Sequence, residues 1–562
     1  MNHVLQSYQR DRARRVAGAV VAIMAILGLL SAASRPLRGM LAELLQIVPF
    51  VVPHTASITL VFVSFGMLLT ARGLRRGHRL AWVAALVLLA VSSILHIAKG
   101  VDIAEASLSV VALVWLATQH RAFPVLPSRS MTVRTIVVGV VGSSTVLALA
   151  TGLAMRADRR HRRDFDDTVG ALVQKMGGNS VLPIDFGGRY AAPVLFAIGL
   201  CVLGSVLWLL LSPRTPAPLT GSAQHAERER ARTLVETHGG GTLDYFALRN
   251  DKQWFFTGHS LVAHTVKNGV CLVSPDPIGP SEEREETWAE FMMYAQRSGW
   301  SVSVLAAASE WLPIYESSGL RSVYMGDEAV VECPSFTLDG PPMKSLRQAY
   351  RRVQRSGYTT SFHDPATLED SVRDELIGLS TQSRQGDTER GFSMTLSRLF
   401  DPEDTGLLLT VARDAGGAAQ AFVQWVPARD IDGWSLDVMR RSTAPDLPNG
   451  IMDFLITETI HHIAEEGGHG LGLNFAMFRR VVAGESEGRL AKTSQSVLQR
   501  ASKHTQIESL WKFNAKYQPS WVPRYVIVGA MDDLAAQSIV IANAEGITEI
   551  PVIGRFMKQP SR

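Results

Sequence analysis

At 562 residues, with 46% apolar and 19% charged side chains and a formal net charge of +4, the chain is too long for one domain and too apolar for a disordered polymer. Its three cysteines, Cys201, Cys271 and Cys333, are too few and too far apart for a disulfide framework or a metal knuckle, which fits a reducing compartment for the polar part. Apolar residues concentrate before Ser212 and acidic residues after it, so a membrane part joined to a polar part is expected.

Runs long enough to span a bilayer occur at about Val16–Ala33, Thr55–Thr70, Leu80–Ala98, Ala104–Thr118, Val133–Met155 and Ala191–Leu211. The fourth is short and starts at Glu105. Leu41–Pro53, with Glu43 and its prolines, reads as an interfacial or re-entrant piece. Six spans put the basic clusters Arg10–Arg15, Arg72–Arg79 and His120–Arg134 on one side, with both chain ends in the cytoplasm; the basic loop Arg156–Arg189 then falls outside, against the same rule. His96 is the one ionisable residue close to a span interior, and an interfacial position is expected for it.

The Pro-rich stretch Pro213–Ser222 reads as a linker. Beyond it a polar helix is expected at His225–His238, then strands at Tyr245–Leu248, Gln253–Thr257, Ser260–Val266 and Val270–Val273, a helix at Glu283–Ser298 and a strand at Ser301–Ala306. Asp276–Gly279 reads as a plain turn. This order predicts an α/β domain on a mixed sheet.

From Pro342 to Gly357 the spacing predicts an amphipathic helix. Lys344, Arg347, Arg351 and Arg355 share one face with Arg352 beside them, opposite Leu346, Ala349, Tyr350 and Val353. Five cations without an acid fit a phosphate backbone; anionic lipid headgroups and a merely solvated face remain alternatives. Strands follow at Leu407–Ala412 and Ala419–Val426.

Trp434–Leu455 is the densest stretch. Trp434, Leu436 and Val438 alternate with Ser435 and Asp437 as a half-buried strand, Pro445 and Pro448 break it, and Asn449 and Gly450 stand where a helix begins. Such a turn leaves the first helical N–H groups free for an anion or a carbonyl. Asp437 and Arg440 flank it, but on a regular strand they would point to opposite faces, so a shared site needs a bulge; a surface ion pair is the alternative. The helix is expected to run to Glu466, with strands at Leu471–Phe475 and Tyr525–Val528. His461, His462 and His469 lack the spacing and acidic partner of a metal site, so no metal is expected.

SLDVMRRSTAPDLPNGIMDFLI resembles the signature of the phosphatidylglycerol aminoacyltransferases, the multiple peptide resistance factor family. The likeness continues through GLGLNFAMFRRV (Gly470–Val481) and LWKFNAKYQPSWVPRYVIV (Leu510–Val528), and upstream through GTLDYFALRNDKQWFF, GVCLVSPDPIGP, MGDEAVVE and ERGFSM at Glu389–Met394. The NFAMFR and KFNAKY forms look like the actinobacterial branch, in which a lysyl-tRNA synthetase is often fused at the C-terminus; no such domain is expected in this sequence, which runs to Arg562. The resemblance implies a transmembrane domain (residues 1–212, about six spans), the linker, and a cytoplasmic tandem acetyltransferase-like (GNAT-like) domain: a first unit over 223–341, a second, catalytic unit over 342–540, and a tail to 562. The family's larger membrane domain flips the finished lipid, whereas anchoring is enough here.

The implied activity moves an amino acid, lysine favoured, from charged tRNA to a hydroxyl of phosphatidylglycerol in the cell membrane, without a cofactor. Alanyl transfer, or diacylglycerol as acceptor, are variants, and self-association is left open. Asp437 and Arg440 are then the expected catalytic pair. Asn449, Gly450, Asp453, Asn474, Lys512, Lys516 and Arg524 are expected to bind substrate, and Lys344, Arg347, Arg351 and Arg355 the tRNA. A coenzyme A-dependent N-acyltransferase is the main rival: Arg413–Ala418, RDAGGA, matches a pyrophosphate-binding string but lies between two strands. A lipid flippase with a regulatory domain is the third reading.

Overall fold

The computed structural model describes residues 2–33, 51–100, 103–125, 219–384, 392–477, 506–529 and 534–544, with isolated positions between 137 and 216. Two compact units emerge, residues 1–215 with 294–300, and residues 216–293 with 301–562.

The first unit contains helices α1 (Asn2–Ala33), α2 (Val51–Arg75), α3 (Arg79–Gly100) and α4 (Ile103–Thr118), each packed on the next. Small side chains such as Ala17, Ala25, Ala81, Ala85 and Ala112 face inward, while Ile23, Leu30, Val87, Ile94, Val111 and Val114 are exposed. That is the reverse of a water-soluble bundle and suits a hydrocarbon surround. Among the described residues, two helices are long and apolar enough to cross a membrane, Arg12–Ser31 and Arg79–Ile97; Ile103–Thr118 is shorter, as its sequence suggests. The expected fifth and sixth spans, the Arg156–Arg189 loop and most of Leu41–Pro53 lie outside the described residues. His96 is buried among the helices, near the end of α3.

The second unit is built on one eleven-stranded mixed sheet, in the order β1-β2-β3-β4-β11-β5-β10-β9-β8-β7-β6. The strands are β1 (Gln253–Thr257), β2 (Ser260–Lys267), β3 (Val270–Val273), β4 (Ser301–Ala308), β5 (Arg321–Glu332), β6 (Thr359–His363), β7 (Leu408–Arg413), β8 (Ala419–Ala428), β9 (Gly433–Arg441), β10 (Gly470–Met477) and β11 (Ser520–Val528). The last strand, β11, inserts between β4 and β5, so strands from early and late sequence interleave. The helices are α5 (Gly221–His238), α6 (Arg284–Ser298), α7 (Leu312–Ser317), α8 (Lys344–Arg355), α9 (Asp370–Arg384), α10 (Ile451–Glu465), α11 (Gln506–Ala515) and α12 (Leu534–Ala544).

Tyr245–Leu248 is not a strand. It forms a 3-10 turn, Asp244–Leu248, in which four successive side chains are buried; the Asp244 carboxylate accepts from the Gly240 and Gly241 N–H groups and holds the turn shut. Four apolar residues in a row satisfy a buried strand and a buried turn equally, which is why composition alone misassigned it.

Alternation along β8 decides what packs on each side. Ala421, Val423 and Trp425 join Leu346 and Val353 of α8 and Ile456 and Ile460 of α10 in one core. Phe422 faces the other way, against Leu376 and Leu379 of α9, and Val426 packs with Tyr245 and Phe246. Period-2 strands between amphipathic helices give this layering directly.

Candidate functional site

The site begins with a divergence of two parallel strands. β9 and β10 pair only from Gly433↔Gly470 to Ser435↔Gly472, after which β10 continues alongside β5 to Met477 and β9 runs with β8 to Arg441. Their C-terminal ends therefore splay, and a wedge opens in the middle of the sheet. Crevices at the carboxyl ends of parallel strands, where backbone groups lose their partners, are natural ligand sites.

Asp437 stands on the β9 side of this wedge. Val438 pairs with Gln424 and Leu436 with Trp425, so Asp437 is the extra residue of a β-bulge. The bulge switches the strand's faces: Leu436 packs in the α8–α10 core, while Val438 packs against α9. Asp437 and Arg440 consequently come to the same side of the sheet. Asp437 is 3% exposed and accepts from Gln424 Nε2 at 2.7 Å and from the Leu396 N–H at 2.9 Å. Arg440 donates from Nε to Ser380 Oγ of α9 at 3.2 Å.

After β9 the Pro-rich turn delivers the N-terminus of α10. Its N-cap is Gly450 at φ +101°, with no side chain capping the first turn. A Cβ there would stand 2.8 Å from Ala349 Cβ of α8, so glycine is required both by the left-handed backbone and by the helix crossing. The Asn449 carbonyl accepts from Arg352 at 3.2 Å, which ties the basic helix to the same corner. Asp453, 6% exposed in the first turn of α10, accepts from Lys516 Nζ at 3.1 and 3.2 Å and from Tyr517 Oη at 3.0 Å. Burial and the Asp453 carboxylate push the Tyr517 phenol far above its ordinary pKa, so it stays a donor. The fold thus joins Asp453 and Lys516, 63 residues apart.

Other expected positions scatter. Lys512 lies exposed on α11, and Asn474 on β10 where its register with β5 shifts. Arg524 sits inside the sheet on β11, donating to Glu328 Oε2 from Nε at 3.0 Å and Nη2 at 2.6 Å, and to Thr242 Oγ1 at 3.0 Å. Burial alone would lower its pKa, but Glu328, with Asp276 and Asp244 nearby, raises it, so the guanidinium is permanently charged. On α8, Lys344, Arg351 and Arg355 are exposed, whereas Arg347 turns back to the Leu338 and Gly340 carbonyls.

Two partners of this region, Gln424 and the Leu396 N–H, carried no sequence signal, and Glu328 was marked only as part of the MGDEAVVE motif, without a role. The Asp276–Gly279 turn also does more than reverse the chain, since Asp276 accepts from Tyr315 Oη at 2.5 Å and the Ala308 N–H at 2.8 Å, and burial pushes its carboxyl up to about 7. RDAGGA closes the β7–β8 hairpin, where Asp414 accepts from the Gly416 and Ala418 N–H groups. His462 stacks on Phe362 at 3.8 Å and His469 Nδ1 meets Asp432 at 2.8 Å; among the described residues no group of three His, Cys, Asp or Glu could hold a metal.

Residues 232–528 match the family described as phosphatidylglycerol lysyltransferase, C-terminal. The lysylphosphatidylglycerol biosynthesis bifunctional protein of Mycobacterium tuberculosis is 31% identical over 560 residues, covering 95% of this chain and 47% of the relative. Its counterpart in Mycobacterium marinum is 30% identical, with 95% and 50% covered. The chain therefore spans about half the length of the curated relatives it matches. Among solved structures, L-PGS from Bacillus licheniformis aligns with a TM-score of 0.48 at 24% identity, over 57% of this chain and 96% of that one.

Proposed function

Because the chain belongs to the phosphatidylglycerol lysyltransferase family, we propose that it is a membrane-bound aminoacyltransferase that moves lysine from charged tRNA to a hydroxyl of phosphatidylglycerol. The observation that carries this is the wedge between β9 and β10, with buried Asp437 on one wall and the uncapped N-terminus of α10 at its mouth. The sheet is read as two GNAT-like units sharing strands, the second carrying the chemistry. The apolar helices anchor it in the bilayer as part of a multi-pass domain of about six spans, with both ends and the catalytic part in the cytoplasm.

The donor is already an activated ester, so the protein needs no covalent intermediate. The lipid hydroxyl oxygen bonds to the ester carbonyl carbon, a tetrahedral oxyanion forms, and collapse expels the ribose oxygen, which takes up the proton the lipid hydroxyl gives up. Asp437, fixed by Gln424 and Leu396, serves as the carboxylate that orients the hydroxyl or holds the α-ammonium. Arg440 and the first N–H groups of α10 face developing negative charge or a phosphate. Lys512, Lys516 and Arg524 remain assigned to substrate phosphate, Arg524 in the second place because Glu328 already engages it.

The exposed cations of α8 are assigned to the tRNA backbone. Replacing Arg351 and Arg355 together by Ala is expected to raise KM for lysyl-tRNA and to flatten its salt dependence, by a slope of about one or less per lost contact. Turnover at saturating tRNA should hardly change, because the stripe does not touch the ester. Equal tRNA affinities and slopes for variant and parent, measured at two salt concentrations without lipid, would reassign the stripe to the membrane.

A fragment starting near Pro218 is expected to fold, since the sheet and its cores lie within residues 216–293 and 301–562. It should act better on lipid in detergent micelles than on bilayers. The overall reading is tested by the mass spectrum of lipids from cells expressing the chain: a lysyl adduct of phosphatidylglycerol is expected, and its absence alongside expressed, folded protein removes the assignment.

A further inference from the structure

We propose that the chain carries a second ligand site, remote from the reaction wedge: an open cleft for an organic ammonium cation with an aromatic body. The cleft, of about 970 Å³, is lined by the end of β6, the starts of β7 and β9, and the last turn of α10. β7 and β9 both run antiparallel to β8 and so parallel to each other. The wedge opens toward the carboxyl end of β9, whereas this cleft lies at the amino ends of both strands. α10 separates the two: its first turn stands at the wedge and its last turn here, 15 residues and about 22 Å away. The site is independent of the transferase reading.

One wall is aromatic. Phe362 of β6 lies flat on His462 of α10, with ring centroids 3.8 Å apart and planes 12° from parallel, and both rings are only partly buried. Trp434 of β9, also partly buried, extends this wall, and the buried Leu407 and Leu408 add apolar surface. A cleft at the upper end of the small-ligand size range, mostly apolar and with a few placed polar groups, has the build of a binding site.

The charges around that wall select the sign of the ligand. Asp364, Asp432 and Glu466 line the cleft beside the C-terminal, negative end of the α10 dipole. The Glu466 carboxylate is exposed and engages nothing among the described residues. The Asp432 carboxylate, exposed as well, meets only His469 Nδ1 among them, through Oδ2 at 2.8 Å. Arg429, the lining guanidinium, is turned to the end of α5, where it donates to the Val235, Glu236 and Gly239 carbonyls. Burial and the nearby Arg413 lower the His363 pKa, so that ring stays uncharged at neutral pH. Phosphate, which both substrates proposed for the wedge carry, is repelled here. An ammonium instead finds carboxylates at its charge and an aromatic face for its body.

The test uses the full chain in detergent and two indoles as probes: tryptamine, whose two-carbon arm ends in an ammonium, and N-acetyltryptamine, in which that nitrogen is an uncharged amide. By calorimetry against a detergent blank, tryptamine is expected to bind at least about tenfold more tightly, the combined size of a cation–π contact and partly exposed ion pairs. Asp432→Asn together with Glu466→Gln changes two exposed side chains and leaves the cores untouched. It should cut the preference to about threefold or less while N-acetyltryptamine binds as before. Trp434→Ala should weaken both indoles together, and Asp437→Asn, in the wedge, should change neither. Equal binding of the two probes by the parent, or no binding of tryptamine at millimolar concentration, overturns the site. So do an unchanged preference in the folded double variant and unweakened binding in folded Trp434→Ala. Loss of tryptamine binding in Asp437→Asn would seat the amine in the wedge and overturn the second site as well.

Discussion

Asp437→Asn is expected to lower kcat/KM for aminoacyl-lipid formation by about 10²–10⁴-fold, the range for removing a positioned acid–base or orienting group. The change is nearly isosteric, so the question is whether the fold tolerates it. Asn would keep one carbonyl oxygen for the Leu396 N–H, but its amide nitrogen would face Gln424 Nε2, donor against donor. Gln424 can resolve the clash by flipping its amide, because its Oε1 has no partner among the described residues and is free to accept. The protein should therefore remain folded and membrane-bound while the carboxylate charge is gone. Arg440→Ala should also abolish product, since its bonds to Ser380 Oγ and its own strand leave the guanidinium on the same side of the sheet. Product within about threefold of the parent from either folded variant would remove that residue from the mechanism.

The largest stability effect is expected at Asp404, which no reading of the sequence singles out. It is 2% exposed, and its carboxylate meets Arg398 at 2.5 and 2.7 Å, Arg228 at 3.0 Å, Arg232 at 3.4 Å and Tyr245 Oη at 3.4 Å. Arg228 and Arg232 belong to α5 and Arg398 to the segment before β7, so one carboxylate binds two distant parts of the chain. Asp404→Ala strands buried guanidinium groups and should cost about 3–5 kcal/mol, read as a lower unfolding midpoint. It should lower activity as well, because the same segment presents the Leu396 N–H to Asp437.

The pH dependence follows. Burial by itself would raise the Asp404 pKa, but Arg398, Arg228 and Arg232 together hold it below the ordinary carboxylate value. A depressed folded-state pKa gives stability that is present above the unfolded value, about 3.9, and lost as pH falls through the folded one. The stability gap between parent and Asp404→Asn should therefore be full at neutral pH and shrink below about pH 4. A gap that stays constant down to pH 3 would mean that the carboxylate charge is not what holds the cluster.

Local order was legible where it repeats with a short period. The alternation in Gly433–Val438, the prolines that end it, the helix after Gly450 and the amphipathic Lys344–Arg355 helix all declare themselves within a few residues, because backbone geometry converts spacing into faces. The motifs around Asp437 and Tyr517 pointed to the family on the same local basis. Tyr245–Leu248 shows the limit of such reading, since an unbroken apolar run has no period to interpret.

What the tertiary structure alone decided concerns partners far apart in the chain. The bulge at Asp437 exists because β9 must pair with β8 in two registers, and that mismatch turns Asp437 and Arg440 to one side. β11 enters between β4 and β5, which brings Arg524 to Glu328 across 196 residues as a buried ion pair. Asp404 meets Arg228 across 176 residues. No periodicity links such positions, because register and strand insertion are set by which hydrophobic faces can be buried together. A sequence by itself therefore determines the elements and their faces, while the wedge and the arginine cluster come into being only when the sheet closes.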